Sequence, residues 1–235
     1  MNTVPLLYGI EHSPVIDEIE LSVNYPSVLA QQLQSGAIDV ALLPVAVIPT
    51  IPDAQIISDY GIAADGNVAS VAIFSHVPIE EVTTVYLDYQ SRTSVMLARL
   101  LLRDYWKVNV ELKPAKEDFI DNIGDNEAAV IIGDRALQQL RNFKYVYDLS
   151  EGWKEHTGLP FVFAAWVANK ELPEQFISDF NQANGAGLEN IDQIVAGTLF
   201  TEYDLKKYYT ESIHYLVDDE KKKGLNKFLE LIQTL

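Results

Sequence analysis

The sequence predicts an α/β protein with mainly parallel sheets, and three observations carry the prediction. Apolar, β-branched runs alternate with segments of helical period along most of the chain. Several of those runs, Ala128–Gly133 among them, are apolar on successive residues rather than on every second one, the mark of strands buried on both faces. The 235 residues are 48% hydrophobic, with a mean hydropathy of +0.02, enough to core one large domain or two lobes.

The elements follow in order. Asn24-Tyr25-Pro26-Ser27 opens a helix with Pro in its first turn, Val28, Leu29 and Leu33 give it one apolar face, and Gly36 stops it. Ile38–Leu43 is the next strand, followed by Val68–Ser75 and Thr84–Asp88. The last of these runs into a helix over Ser91–Trp106, whose inner face is Val95, Ala98, Leu101, Leu102 and Tyr105. Val108–Leu112, Ala128–Gly133 and Tyr145–Asp148 continue as strands, with short helices near Glu117–Ile123 and Arg135–Leu140. Phe161–Ala168 is too apolar for an edge strand. Beyond Pro173 the chain reads as a C-terminal helical segment: Glu174–Asn181, Leu188–Ala196, Glu202–Leu216 and Glu220–Ile232, with Gly185-Ala186-Gly187 as a turn.

Composition removes several function classes. Seventeen basic against 34 acidic residues leave a formal charge of −17 and a pI near 4.5, which argues against a nucleic-acid partner, because that affinity comes from cations neutralising phosphates. There is no cysteine, hence no disulfide, thiolate nucleophile or Cys-ligated metal. That fits a reducing compartment, and Met1-Asn2-Thr3-Val4-Pro5 lacks the basic and apolar regions of a signal peptide, so a cytoplasmic location is expected. Val40–Ile48 and Leu159–Ala168 fall short of the ~20 apolar residues that span a bilayer, so no membrane partner is expected. His12, His76, His156 and His214 are scattered without a metal-binding spacing, and no P-loop, G-x-S-x-G or G-x-G-x-x-G follows a strand. Neither metal nor cofactor is expected.

In open α/β sheets ligands sit beyond the carboxyl ends of strands, which selects the loops Pro44–Val47, Tyr89–Ser94 and Gly133–Arg135. Ser91, Thr93 and Ser94 put three hydroxyls beside the free N–H groups of a helix start, a site suited to a carboxylate or phosphate. Ser91 as a plain N-cap fits the same residues. Gly133 can bring backbone close to a ligand, and Asp134 can cap the helix that follows. Glu80-Glu81, Asp218-Asp219 and Lys221-Lys222-Lys223 read as solvated charge, and the tryptophans with Phe161 and Phe163 as core.

Seven segments in order carry a resemblance: Asn2-Thr3-Val4-Pro5-Leu6-Leu7-Tyr8-Gly9; Pro26-Ser27; Gly36-x-x-Asp39 leading to Leu43-Pro44-Val45; Gly66-x-Val68-x-Ser70-Val71; Ser91-Arg92-Thr93-Ser94; Ile132-Gly133-Asp134-Arg135-Ala136-Leu137; and Thr157-Gly158-Leu159-Pro160-Phe161-Val162-Phe163-Ala164. Together they resemble the menaquinone-biosynthesis family that includes chorismate dehydratase of the futalosine pathway. The resemblance runs from Asn2 to the C-terminal helices. It implies a two-lobed, periplasmic-binding-protein-like (type II) fold, with lobe 1 formed by 1–82 plus 162–235, lobe 2 by 83–161, and the ligand in a cleft between them. The crossings are expected near Pro78–Val85 and Leu159–Val167.

The implied reaction is loss of water from chorismate to give 3-[(1-carboxyvinyl)oxy]benzoate, a lyase step that aromatisation drives without a cofactor. Carried over by motif, Thr93 and Ser94, with Ser91, bind a substrate carboxylate. Ser70 and Pro44, Val45 and Ala46 line the opposite wall, Gly133 and Asp134 lie beside the ligand, and Asn2 is the catalytic residue. Arg92 and Arg135 are candidate helpers. A related enzyme of the same pathway, which makes 1,4-dihydroxy-6-naphthoate, carries a histidine where Ile132-Gly133-Asp134 stands, so Gly133 favours the dehydratase. The family also has an interior strand ahead of the Asn-Thr-x-Pro segment, whereas Met1 here abuts Asn2; residues added upstream are expected to raise thermal stability. A solute-binding protein or sensor for a small carboxylate, and a silent paralogue, are the rival readings of the same fold.

Overall fold

The computed structural model describes residues 1–88, 91–116 and 118–235, so Tyr89, Gln90 and Glu117 of the expected loop and short helix lie outside the described residues. The chain forms two units, Met1–Ala63 with Val162–Asp218 and Ala64–Phe161 with Asp219–Leu235. In chain order, α1 (Val4–Glu11), α2 (Pro26–Gln34), β1 (Val40–Pro44) and β2 (Gln55–Ala64) come first. Then follow β3 (Val71–Ser75), β4 (Thr84–Leu87), α3 (Arg92–Asp104), β5 (Glu111–Pro114), β6 (Glu127–Ile132), α4 (Gly133–Gln139), β7 (Tyr145–Asp148) and α5 (Leu149–Thr157). The chain returns to the first unit for β8 (Phe161–Ala168), α6 (Glu174–Glu189), α7 (Ile191–Ala196), α8 (Leu205–Lys207) and β9 (His214–Leu216), and ends in the second with α9 (Asp219–Leu231).

These divisions differ from the expected 1–82 plus 162–235 and 83–161. β3 goes with the second unit because it pairs on one side with β6 and on the other with β7. The last helix goes with it because Phe228 packs edge-on against Phe161 and Trp153, with ring centroids 4.9 and 6.0 Å away.

The sheets are mixed, which corrects the expected mainly parallel arrangement. The first unit has the order β1-β8-β2-β9 and the second β5-β4-β6-β3-β7. β8 runs antiparallel to β1, β9 to β2, and β3 to both β6 and β7, while β4 is parallel to β5 and β6. Continuous apolar runs report burial of both faces, not strand direction, and β3 and β8 are as apolar as any parallel strand.

Other differences have local causes. β2, Gln-Ile-Ile-Ser-Asp-Tyr-Gly-Ile-Ala-Ala, has no clean alternation, and its pairing with β9 shifts register between Tyr60 and Ala63. The expected helix over Glu202–Leu216 is instead the short α8, a π-turn over Tyr208–Ser212 and β9. Gly185-Ala186-Gly187 is not a turn but lies inside α6, where the glycines serve packing. A Cβ on Gly187 would stand 1.8 Å from the Pro5 carbonyl oxygen, and one on Gly9 2.0 Å from that of Ala183, so α1 and α6 cross backbone against backbone. Lys221, read as solvated, is buried, while Lys222 and Lys223 are exposed. Ile10, Val15, Ile57, Trp166 and Phe180 build a core cluster in the first unit, and Ala72, Phe74, Phe119 and Ile131 one in the second. Among the described residues no helix is long and apolar enough to cross a membrane.

Candidate functional site

Strand direction and register bring most of the expected site residues to one edge of the second unit's sheet. β3 starts where β6 ends, since Val71 pairs with Ile132, and β7 ends there too, since Ala72 pairs with Asp148. β4 is parallel to β6, with Tyr86 opposite Ala129, so its carboxyl end faces the same way. Ser70 precedes β3, Ser91 to Ser94 follow β4, and Gly133-Asp134 follow β6. The Gly133 N–H donates to the Ser70 carbonyl at 2.7 Å.

Ser91 N-caps α3: its Oγ accepts the Ser94 N–H at 3.2 Å and lies 3.0 Å from Ser94 Oγ. The capping reading of this corner is therefore the one observed, with Ser91 Oγ engaged and Thr93 and Ser94 buried. Arg92, between them, is exposed. Ser70 is only 3% exposed, and its hydroxyl has no hydrogen-bond partner among the described residues. Gly133 has φ +64°, left-handed backbone that favours glycine although a Cβ there would meet nothing within 4 Å. Asp134 is not the cap expected of it: Ile132 occupies the N-cap of α4, and Asp134 sits in the first turn, where its charge suits the helix dipole. Arg135 is drawn to the buried Asp88 carboxylate, Nη2 to Oδ2 2.7 Å, and its guanidinium lies over the Phe119 ring.

One residue of this edge went unread in the sequence. Asp148 accepts four backbone N–H groups, from Val68 at 2.9 Å and Ala69 at 2.7 Å through Oδ2, and from Ser150 at 2.9 Å and Glu151 at 3.0 Å through Oδ1. It caps α5 and also holds the turn before Ser70, where Ala69 has φ +64°. Burial pushes its carboxyl up to about 6, against the opposing pull of those four donors. The Asp148-Leu149-Ser150-Glu151 pattern, an acidic N-cap with Glu three residues on, was the available signal.

Asn2 and the Pro44–Ala46 loop belong to the first unit. Asn2 precedes α1 and is half-buried. Its carbonyl accepts the Tyr215 hydroxyl at 3.0 Å, and its side-chain amide has no hydrogen-bond partner among the described residues. Pro44 ends β1, while Val45 and Ala46 begin a 3-10 turn with Val45 fully buried. The first unit also contains a cavity of about 770 Å³, which holds none of the expected site residues. Among the described residues no group of three or more His, Cys, Asp or Glu is placed to hold a metal ion.

Comparison with known proteins adds a family and a fold. The family model described as menaquinone biosynthesis matches residues 1–234. Chorismate dehydratase from Campylobacter jejuni is 28% identical, covering 100% of this chain and 95% of that protein. Chorismate dehydratase from Thermus thermophilus is 25% identical, covering 88% and 84%. Of solved structures, a protein from Archaeoglobus fulgidus superposes with a TM-score of 0.75 at 15% identity, covering 99% of this chain and 93% of that one. The periplasmic aliphatic sulphonate binding protein from Escherichia coli gives 0.58 at 13%, covering 99% and 84%. These likenesses show a two-lobed, periplasmic-binding-protein-like α/β fold. The expected cytoplasmic location is corrected here: the solved chains with this fold include one named as periplasmic, and absent cysteines do not fix a compartment.

Proposed function

Because the chain belongs to the menaquinone biosynthesis family, we propose that it eliminates water from chorismate, giving 3-[(1-carboxyvinyl)oxy]benzoate. In that step a ring C–H bond and the ring C–OH bond break, the proton and hydroxide leave as water, and the ring becomes aromatic. The observation that carries the reading is the Ser70 hydroxyl, without a hydrogen-bond partner among the described residues and on the sheet end from which α3 also starts. A hydroxyl with no protein partner is available to donate to a substrate carboxylate, and a hydrogen bond to a charged group contributes about 1.5–3 kcal/mol. Thr93 and Ser94 are assigned to the substrate with it, at the start of a 13-residue helix whose N-terminal dipole favours negative charge.

Such donors have a specific task. A chain of formal charge −17 repels a dianion at long range, and the Arg135 charge is already met by Asp88. Recognition then falls to short-range hydroxyl and N–H groups. Asn2, with donor and acceptor both unspent, is assigned to the reacting ring, and the substrate's own enolpyruvyl carboxylate, held by those donors, is the base.

Incubation of the purified protein with chorismate, followed by absorbance and mass spectrometry, tests the reading. An aromatic product lighter by one water is expected. Chorismate bound but unchanged points to a solute-binding protein, and no binding removes the proposal. Ser70→Ala is expected to raise KM about tenfold, the effect of about 1.4 kcal/mol.

A further inference from the structure

Asn2 is held through its main chain. The residues ahead of α1 have little local support, because Thr3 at the N-cap makes no side-chain capping bond. What fixes them comes from far along the chain. The Met1 carbonyl accepts the Val4 N–H at 3.0 Å and the Tyr209 hydroxyl at 3.3 Å, and the Asn2 carbonyl accepts the Tyr215 hydroxyl at 3.0 Å.

Both tyrosines are rigidly mounted. Tyr215 is 4% exposed in β9, whose position is set by pairing with β2. Tyr209 is 2% exposed in the π-turn that ends where the Ile213 N–H meets the Tyr208 carbonyl at 3.0 Å. Below them, α1 is locked against α6 by the Gly9–Gly187 crossing, which leaves little slack for the helix to follow a displaced N-terminal turn. Burial, with the neighbouring Tyr208 and Tyr209 hydroxyls, raises the Tyr215 phenol well above its ordinary range, so it remains a donor at any working pH. Two carbonyls in succession are thus pinned while the Asn2 side chain between them stays unspent, and the direction of that side chain is set by the backbone that carries it.

We infer that Tyr215, seconded by Tyr209, is a positioning residue for Asn2, its hydroxyl fixing the Asn2 carbonyl so that the amide side chain is presented in one orientation to the substrate. The inference rests on the catalytic role proposed for Asn2 above, and it adds a distant pair of residues that touch no reacting atom. Removing the Tyr215 hydroxyl leaves its ring in place and frees the Asn2 carbonyl, so chemistry should suffer more than binding.

The test is a double-mutant cycle on the full chain. Tyr215→Phe is expected to lower kcat about tenfold with KM within about twofold, and to cause no further loss in the Asn2→Ala background, since a residue acting through Asn2 has nothing left to position. Equal losses in both backgrounds, or an unchanged kcat in Tyr215→Phe, overturn the inference. Hydrogen exchange of the backbone amides over residues 2–7 separates this outcome from the fate of the functional reading. Faster exchange in Tyr215→Phe, but not in Asn2→Ala, supports the anchor even if chorismate is not turned over, and unchanged exchange refutes it. Should Tyr215→Phe fail to fold, Tyr209→Phe runs the same cycle with an expected loss of about threefold, in keeping with its longer bond.

Discussion

In the second unit a buried carboxylate ties strand ends together, whereas in the first unit glycine packing and tyrosine hydroxyls do the comparable work. Asp148 joins two segments about 80 residues apart in sequence through four N–H bonds, and β3, which it steadies, is paired on both sides. The first unit's β1 lies at an edge of its sheet, and the cavity beside it is lined by the consecutive residues Glu18 to Asn24 and Ala37 to Leu42. A strand face would expose alternate residues, so consecutive ones mean that backbone edges border the space. Ile19 to Asn24 alternate apolar and polar, and Ile19 has extended dihedrals, yet the segment has no backbone hydrogen bond among the described residues. The contrast sets order imposed by a charged group at Asp148 against order imposed by close packing at Gly187, although Gly224 in the second unit is packed as tightly against the Pro160 carbonyl, and both sheets keep edge strands.

The largest effect expected is at the carboxylate. Asp148→Ala strands four N–H groups, three of them buried, and should cost about 4 kcal/mol, lowering Tm by about 8–16 °C, measured by calorimetry. A loss under about 1 kcal/mol would show that the four bonds do not carry the edge. Its acidity gives a second readout. A folded-state value of about 6 lies above the ordinary 3.8, so the folded protein holds this proton where the unfolded chain has lost it. Stability from this group therefore rises as pH falls from 7 to 5, by about 1.3 kcal/mol, and Asp148→Asn should lack that gain. A variant with the same pH slope as the wild type contradicts the assignment.

Close packing in the first unit answers to Gly187→Ala. The new methyl would overlap the Pro5 carbonyl oxygen, which is backbone and cannot swing aside, so a loss of about 3 kcal/mol, or about 6–12 °C, is expected. The same substitution at Gly66 in the second unit meets nothing within 4 Å but strains a backbone at φ +108°, so only a conformational cost, about 1–2 kcal/mol, remains. Equal losses at the two positions would erase the distinction.

How much of this was legible in the sequence follows from how local each feature is. The Ser91–Ser94 corner could be read because strand, cap and helix adjoin within a few residues. Gly187 could not: its reason is a carbonyl on a helix over 180 residues away, and without that partner a Gly-Ala-Gly run reads as a turn. Tyr215 was absorbed into an expected helix, because a π-turn and a three-residue strand leave no periodic trace. Strand direction was illegible for a general reason, since doubly buried strands look alike whichever way they run. Asp148 had a readable local pattern, but its bonds to Val68 and Ala69 are tertiary.

Pairing capacity at the β1 edge gives a smaller effect of opposite sign. A seven-residue alternating Val/Thr segment fused ahead of Met1, two residues from the Thr3 wall of the cavity, is expected to raise Tm by about 4–8 °C, about 2 kcal/mol of new ladder and cross-strand contact. The same segment with Pro at its centre removes a ladder donor and should give little gain. If both fusions behave alike, the space beside β1 is not a strand slot.

The smallest effect tests how completely the second unit's edge is satisfied. Ser150 is fully buried in the first turn of α5, its N–H bonded to Asp148, but its Oγ has no partner among the described residues. An unmet buried hydroxyl costs more than it contributes, and Ala is the better helix former, so Ser150→Ala should stabilise by about 1 kcal/mol, a rise of about 2–4 °C. A fall in Tm would mean that the hydroxyl is met by an ordered water or a bound group at the foot of the Asp148 network. Paired with Asp148→Ala the substitution also measures coupling: the two side chains meet only through the Ser150 backbone N–H, so their effects should add to within about 0.5 kcal/mol unless the hydroxyl takes part in that network.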